Sequence, residues 1–332
     1  MLPAALADRH PNETTKRGPV RRTLALIATG GALTLALSGC AGLTTDEDAT
    51  GPGPATDLIE VTGSFGTTPR VDFPTPVIAE ETECDVLVEG TGDTLVPGQK
   101  ALVKLSVYNA STGATIQEAD RNADPIPAVL DEGALLPGLF AGLQCASEGS
   151  RVVIAVPPAD GFGDAGSVQL GIAPDDTLFF VVDVDRAYLP RANGTDRPGT
   201  RGFPAVVLGP DGRPGITVPS TDAPTETEVA VLKQGRGETV ESGDSVTVHY
   251  TGVLWDTNEV FDSSWESGSP ASFVVGEGAN VIPGFSEALV GQQVGSQVIA
   301  VITPEDGYGE QGSGAVPPNA TLVFVIDILG ID

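Results

Sequence analysis

Residues 248–265, which read VHYTGVLWDTNEVFDSSW, decide the fold of this chain. Both tryptophans of the protein, Trp255 and Trp265, lie here, although aromatic residues make up only 5% of the sequence. The stretch also contains His249, a tyrosine, and a phenylalanine followed by the carboxylate of Asp262. Polar ring tips and a carboxylate are poor filling for an apolar core, so this stretch indicates a binding pocket.

The surrounding residues predict an α+β unit. Runs of β-favouring residues predict strands over residues 228–234, 245–254, 272–275, 297–303 and 321–328. Pro283 stands near the start of an apolar pattern with helical spacing, which predicts one short helix. An antiparallel sheet of this kind has to curl around the helix to bury its apolar face.

The same order of elements occurs earlier in the chain. EDGYGE over residues 305–310 matches ADGFGD over 159–164, and VPPNATLVFVIDI over 316–328 matches IAPDDTLFFVVDV over 172–184. An internal repeat of this length predicts two copies of one fold. We therefore expect two α+β domains, residues 79–190 and 227–332, each an antiparallel β-sheet curled around one short α-helix.

The N-terminus has the pattern of an export signal. Basic residues within positions 16–22 precede an apolar run over residues 23–37, which is too short to span a bilayer comfortably. Leu-Ser-Gly before Cys40 resembles a bacterial lipobox, in which the cysteine is diacylated, and the alternative is an ordinary secretory signal with a chance cysteine. Residues 1–40 are therefore expected to export the protein and anchor it by lipid at the outer face of the bacterial cell membrane.

Two further segments are rich in polar residues, proline and glycine. Residues 41–78, which are also acidic, predict a flexible tether, and residues 191–226 predict a linker. Within the linker, only residues 203–208 are apolar enough to dock on a domain.

Charge and cysteine content exclude several kinds of partner. The chain has 17 basic and 45 acidic side chains and a formal net charge of −28, so nucleic acid is not an expected partner and lipid, not charge, should hold the protein to the membrane. No metal site and no cofactor are expected, because the residues after the leader include one histidine and no CxxC or HExxH motif. Cys84 and Cys145 lie in one predicted domain, where they either pair or stay free, since spacing does not test geometry.

Four motifs in the C-terminal domain, VHYTGVLWDTNEVFDSS, VIPGF, DGYGE and VPPNATLVF, resemble in order and spacing the FKBP family of peptidyl-prolyl cis/trans isomerases. The resemblance implies two FKBP-like domains and a hydrophobic pocket between sheet, helix and loops. It also implies isomerase activity on proline-containing polypeptides, with macrolides such as FK506 or rapamycin as inhibitors. The expected function is isomerisation of X–Pro bonds in proteins that fold outside the cytoplasmic membrane. The alternative is a non-catalytic peptide-binding, chaperone or scaffold lipoprotein.

Carried over position by position, the family's pocket falls on nine residues of this chain: Tyr250, Phe261, Asp262, Val281, Ile282, Phe285, Tyr308, Val316 and Phe324. The resemblance assigns the catalytic roles to Tyr250, Asp262, Ile282 and Tyr308. The Ile282 backbone N–H and the Tyr308 hydroxyl are the expected donors to substrate carbonyls. Of the residues outside this set, Phe273 is expected in the core, Trp265 beside the entrance and Trp255 on the outer face.

The N-terminal copy lacks these polar groups. The positions of the pocket are taken there by apolar residues and one amide: Leu105, Ile116, Gln117, Leu139, Phe162, Ile172 and Phe180. We therefore expect a domain that keeps the fold without the catalytic site, and that binds unfolded chain, docks the other domain or acts as a spacer.

Overall fold

The structure, a computed structural model, describes residues 50–120 and 122–332. The predicted signal, the lipobox at Cys40 and residues 41–49 of the predicted tether lie outside these residues. Within the described part of the chain, no helix is long and apolar enough to cross a membrane.

The segment over residues 50–78 is folded and packed on the N-terminal domain. It contains a 3₁₀ turn at Thr56–Leu58 and an antiparallel pair of short strands, β1 (Glu60–Thr62) and β2 (Arg70–Asp72). Its few apolar side chains are buried in one cluster with strands of the domain, Ala55 and Val77 almost completely. The expectation of a flexible tether is therefore wrong for residues 50–78, because these scattered apolar residues pack despite the polar composition around them.

Buried charged groups fix this segment in place. The Glu83 carboxylate accepts the N–H groups of Ala55 and Thr56, both at 2.8 Å. The Arg151 guanidinium pairs with Asp183, and it donates to two carbonyl oxygens of the turn over residues 63–67 at 2.9 and 2.8 Å. Because Arg151 is only 2% exposed, these backbone partners compensate much of the cost of burying its charge.

The N-terminal domain is a six-stranded antiparallel sheet with strand order β3-β7-β8-β4-β5 and with β6 paired to β4. Its helix packs against β7 in the concave side of the sheet. The elements are β3 (Glu83–Val88), β4 (Lys100–Asn109), β5 (Thr115–Gln117), β6 (Ile126–Val129), α1 (Pro137–Leu143), β7 (Arg151–Val156) and β8 (Leu178–Ala187), with 3₁₀ turns at Pro158–Asp160 and Gly163–Ala165.

A disulfide joins Cys84 on β3 to Cys145 just after helix α1. Both half-cystines belong to the core cluster between helix and sheet. The bridge therefore links the edge strand β3 to the chain that leaves the helix.

The segment between the domains contributes three strands, β9 (Thr195–Asp196), β10 (Ala205–Leu208) and β11 (Pro214–Thr217). Strand β9 extends the sheet of the C-terminal domain, and β10 pairs with β11 in a hairpin. Phe203, Val206 and Ile216 pack with Trp255 on the outer face of that sheet. The predicted linker thus folds over the C-terminal domain, including the apolar stretch over residues 203–208.

The C-terminal domain repeats the architecture of the first. Its antiparallel strands follow the order β14-β13-β17-β16-β12-β9, with β15 paired to β13, and helix α2 packs on β16. The elements are β12 (Glu228–Gln234), β13 (Ser245–Leu254), β14 (Val260–Ser263), β15 (Ala271–Val274), α2 (Pro283–Leu289), β16 (Gln297–Ile302) and β17 (Leu322–Ile331). The predicted α+β fold, an antiparallel sheet curled around one short helix in each of two domains, is confirmed.

Helix and sheet approach each other closely in both domains. A Cβ atom at Gly284 would lie 2.5 Å from the side chain of Ile302, and one at Gly138 would lie 2.5 Å from the side chain of Val156. Each helix begins with proline after a residue in an extended conformation, Ile282 or Leu136. The helix N-terminus therefore stands at the same place in the two domains.

We predict that the disulfide is required for the stability of the N-terminal domain. Closing a loop with a sequence separation of 61 contributes about 4 kcal/mol by the chain-entropy model. Thiol titration of the unfolded, unreduced Cys40→Ser variant should detect no free thiol. Reductant should lower the melting temperature seen by circular dichroism more than that seen by tryptophan fluorescence, since both tryptophans are in the C-terminal domain.

The Cys84→Ala/Cys145→Ala variant is the control, and its melting temperature should not respond to reductant. Two free thiols in the unreduced sample would contradict the pairing.

Candidate active site

A cavity of about 350 Å³ opens between strands β13 and β15, helix α2 and the loop that carries Tyr308. It brings together seven of the nine residues expected in the pocket. The lining consists of Tyr250, Asp262, Val281, Ile282, Phe285, Tyr308 and Phe324, with Phe273 and Asn280 in addition.

The wall of the cavity is an aromatic cluster held by edge-to-face contacts. Phe285 from α2 lies 5.8 Å from the ring of Tyr250, 5.4 Å from that of Phe273 and 5.2 Å from that of Phe324, each at a steep angle. Such perpendicular arrangements are favourable because the positive edge of one ring meets the negative face of the next. The cluster therefore forms a well-packed apolar surface supplied by a helix and three strands.

Phe261 supports this cluster from behind. Its ring packs at 89° against Phe324, with the centroids 5.4 Å apart. Gly252 makes this possible, because a Cβ there would lie 2.6 Å from Phe261 and 2.9 Å from Phe324. Phe261 is therefore a supporting residue and does not itself line the cavity, which corrects its expected place in the pocket.

One polar pair stands at the edge of the aromatic wall. The Tyr250 hydroxyl donates to Asp262 Oδ2 at 2.5 Å. Burial, the hydrogen bond to Asp262 and the charge of that carboxylate raise the pKa of Tyr250 well above its usual value. Tyr250 therefore remains a neutral donor that orients the Asp262 carboxylate.

Two hydrogen-bond donors at the cavity have no partner among the described residues. The Ile282 N–H precedes the first turn of helix α2, and the helix start is held by the Gly284 N–H, which donates to the Asp306 carbonyl at 3.0 Å. The Tyr308 hydroxyl is 38% exposed and makes no hydrogen bond within the described chain. Both groups are thus available to carbonyl oxygens of a bound ligand.

The structure corrects three further expectations. Val316 does not form the rim of the cavity, because this apolar side chain is buried in the core cluster of the domain. Trp265 does not flank the cavity, since it stacks on His249, with the ring centroids 4.1 Å apart. Phe273, expected only in the core, is a wall residue, and alternation along β15 was the signal for its inward direction.

Asn280 is the other lining residue that the sequence did not reveal. Its Oδ1 accepts the Val274 N–H at 3.0 Å, which closes the turn between β15 and α2. An exposed asparagine in a loop carries no signal for such a place.

The corresponding region of the N-terminal domain is filled by apolar side chains. Ile172 and Phe180 are buried, and four neighbours pack against them: Leu105, Ile116, Leu139 and Phe162. The Gln117 amide is exposed and reaches back to the Leu105 carbonyl at 3.4 Å. No hydroxyl or carboxylate stands at these positions, so the chemistry of the C-terminal cavity has no counterpart here.

Two stretches of the chain, residues 92–185 and 236–329, match the family described as FKBP-type peptidyl-prolyl cis-trans isomerase. Together they make up more than half of the sequence. The chain belongs to this family. The expected resemblance and the expected class of enzyme are therefore confirmed, and both domains are FKBP domains.

Bacterial relatives show the same relationship. The chain is 46% identical over 99 residues to a probable FKBP-type peptidyl-prolyl cis-trans isomerase of Haemophilus influenzae, a match that covers 30% of this chain and 39% of that protein. It is 33% identical over 121 residues to an FK506-binding protein of Streptomyces anulatus, with 36% and 97% covered. A probable FK506-binding protein of Corynebacterium glutamicum is 37% identical over 117 residues, with 35% and 97% covered. Each match spans about one domain of this chain.

His249 lies on the opposite face of the C-terminal FKBP domain from the cavity. It is only 4% exposed, and its Nδ1 is 2.9 Å from the Ser264 hydroxyl. Burial lowers its pKa to about 4. Asp327 is the residue across the strand pair, and burial raises its pKa to about 6. At neutral pH the pair therefore consists of a neutral imidazole and a carboxylate.

We predict that His249 makes the domain sensitive to mild acid. Its pKa is lower in the folded than in the unfolded chain, so the unfolded state binds the proton first between pH 6.5 and 4 and stability falls with pH. Between pH 7.5 and pH 5 the wild type should lose about 2 kcal/mol more than His249→Gln. Urea unfolding followed by tryptophan fluorescence at the two pH values measures this difference.

Asp327 has the opposite sign, because its raised pKa favours the folded state as pH falls through 6. It is present in both proteins and cancels in the comparison. An equal loss in wild type and variant would contradict the assignment to His249.

Proposed function

We propose that the C-terminal FKBP domain catalyses rotation about X–Pro bonds without a covalent intermediate, and that the chain does so as an exported, membrane-anchored protein that assists the folding of extracytoplasmic proteins. The observation that carries the catalytic part is the juxtaposition of an aromatic wall with two unpartnered donors, the Ile282 N–H and the Tyr308 hydroxyl. The volume of about 350 Å³ lies at the lower end of ordinary ligand pockets, which suits a prolyl ring and its neighbours.

The reaction needs stabilisation of a twisted amide. Rotation costs about 18–20 kcal/mol because the planar amide has resonance that the twisted form loses. The twisted form is also less polar, so a dry aromatic pocket favours it over the planar form relative to water. Acceleration by a thousandfold to 10⁵-fold requires only about 4–7 kcal/mol of such differential binding.

The polar groups then fix the substrate in place. In this proposal the proline ring lies against Phe285 and Phe324, and the Ile282 N–H donates to a substrate carbonyl. The Tyr308 hydroxyl donates to a second carbonyl from the loop side. Asp262, oriented by Tyr250, faces the amide that rotates and stabilises its altered charge distribution.

The N-terminal FKBP domain is proposed to contribute no catalysis of its own. Its apolar filling retains the volume of a pocket and none of the donors. The alternative function, a non-catalytic peptide-binding or chaperone lipoprotein, is supported by this domain alone. The donors and the carboxylate of the other domain favour the enzyme.

The anchoring part rests on the sequence around Cys40. A basic region, an apolar run and Leu-Ser-Gly-Cys have the order of a lipoprotein signal. The net charge of −28 offers no electrostatic attraction to anionic lipid, so acyl chains are the proposed means of attachment.

The catalytic proposal predicts a contrast between matched positions of the two domains. Tyr308→Phe removes one donor from the cavity and should lower kcat/KM for a proline-containing peptide about tenfold, the equivalent of one hydrogen bond. The matched control, Phe162→Leu in the N-terminal domain, should leave kcat/KM unchanged. Equal losses in the two variants of the full chain would show that activity is not confined to the C-terminal domain.

The anchoring proposal predicts that Cys40→Ser releases the protein from membranes or leaves the signal uncleaved. Fractionation of cells into membrane and soluble parts, with mass measurement of the N-terminal fragment, tests this. The wild type should carry acyl chains on Cys40. Unchanged membrane association of the variant would overturn the assignment of the lipid anchor.

A further inference from the structure

The two FKBP domains are joined by a dense set of polar contacts at residues 329–332. The Leu189 N–H donates to the Leu329 carbonyl at 3.1 Å, and the Tyr188 hydroxyl donates to Asp332 Oδ1 at 2.7 Å. The Tyr188 ring also packs so closely on Gly330 that a Cβ there would lie 2.5 Å from it. The end of β17 is therefore held by the N-terminal domain.

Lys100 is the residue of the N-terminal domain that reaches furthest into this contact. Its ammonium donates to Thr247 Oγ1 at 2.9 Å, to Ser272 Oγ at 2.8 Å and to Asp332 Oδ1 at 3.0 Å. It also lies 4.5 Å from the centre of the Tyr188 ring. The side chain is only 11% exposed, so its three donors are directed to fixed partners and not to bulk water.

One of these partners lies directly beside the cavity. Ser272 belongs to β15, a four-residue strand that pairs only with β13. The next residue is Phe273, whose ring contacts Tyr250 and Phe285 in the cavity wall. Because side chains alternate along a strand, Ser272 points to Lys100 while Phe273 points into the cavity.

We propose that Lys100 is a positioning residue for the active site of the other domain. By holding Ser272 against Thr247, it fixes the edge strand β15 and with it the ring of Phe273. The domain without pocket chemistry thereby sets the width of the cavity in its neighbour. This inference rests on the proposed catalytic function of the C-terminal domain.

The test is Lys100→Met in the full chain, which removes the charge and keeps most of the side-chain length. The KM for a proline-containing tetrapeptide and the Kd for FK506 should rise about threefold to tenfold, the equivalent of about one ordinary hydrogen bond, with kcat nearly unchanged. Lys100→Arg keeps the positive charge and several donors and should restore most of the affinity. The matched control is Lys233→Met, because Lys233 pairs with Asp196 at the far edge of the sheet and should leave both constants unchanged.

A double-mutant cycle identifies the route of the effect. Ser272→Ala should weaken binding by itself, and in the Lys100→Met background it should add nothing further. Amide hydrogen exchange of residues 271–274 should be faster in Lys100→Met than in wild type and Lys233→Met. Additive effects, or equal constants for Lys100→Met and Lys233→Met, would overturn the proposal.

The same experiments separate this inference from the proposed function. A wild type without isomerase activity would refute the catalytic proposal, and FK506 binding and amide exchange would still report on Lys100. An active wild type with unchanged binding and exchange in Lys100→Met would refute the positioning role alone.

Discussion

The close approach of helix α2 to strand β16, which Gly284 permits, is the constraint on which the C-terminal domain depends. With no Cβ at this position, the helix backbone lies against Ile302 and the following ring, Phe285, reaches the centre of the aromatic cluster. The same approach leaves the Ile282 N–H at the start of the helix and facing the cavity. A larger residue at position 284 would move the floor of the site and one of its donors together.

The N-terminal domain shows that this constraint specifies the fold and not the chemistry. Gly138 repeats the contact against Val156, and Leu136 has nearly the same backbone conformation as Ile282. The helix and the curled sheet are therefore retained although the side chains around them are apolar. Fold and site are separable here, because packing needs only volume and close approach, whereas the site needs hydroxyl and carboxylate groups at a few positions.

Much of this could be predicted from the sequence, since strand alternation and the internal repeat depend on local patterns. The seven predicted residues that line the cavity follow from motifs whose spacing is fixed by the fold. The packing of residues 50–78 could not be predicted, because Arg151 and Glu83 bind backbone atoms, which have no sequence signature. The place of Trp265 depends on a stack with a side chain from the neighbouring strand, a tertiary contact that motif spacing does not encode.

The contact between the domains gives the polar composition of the chain a structural meaning. A buried ammonium such as that of Lys100 is costly unless its donors are satisfied, and here hydroxyl groups and one carboxylate of the neighbouring domain satisfy them. Such an arrangement is specific in a way that an apolar contact is not, since small displacements leave donors unpaired. The interface therefore selects one relative placement of the two domains at residues 329–332. Strand β15, the least supported strand of the cavity wall, is held within that placement.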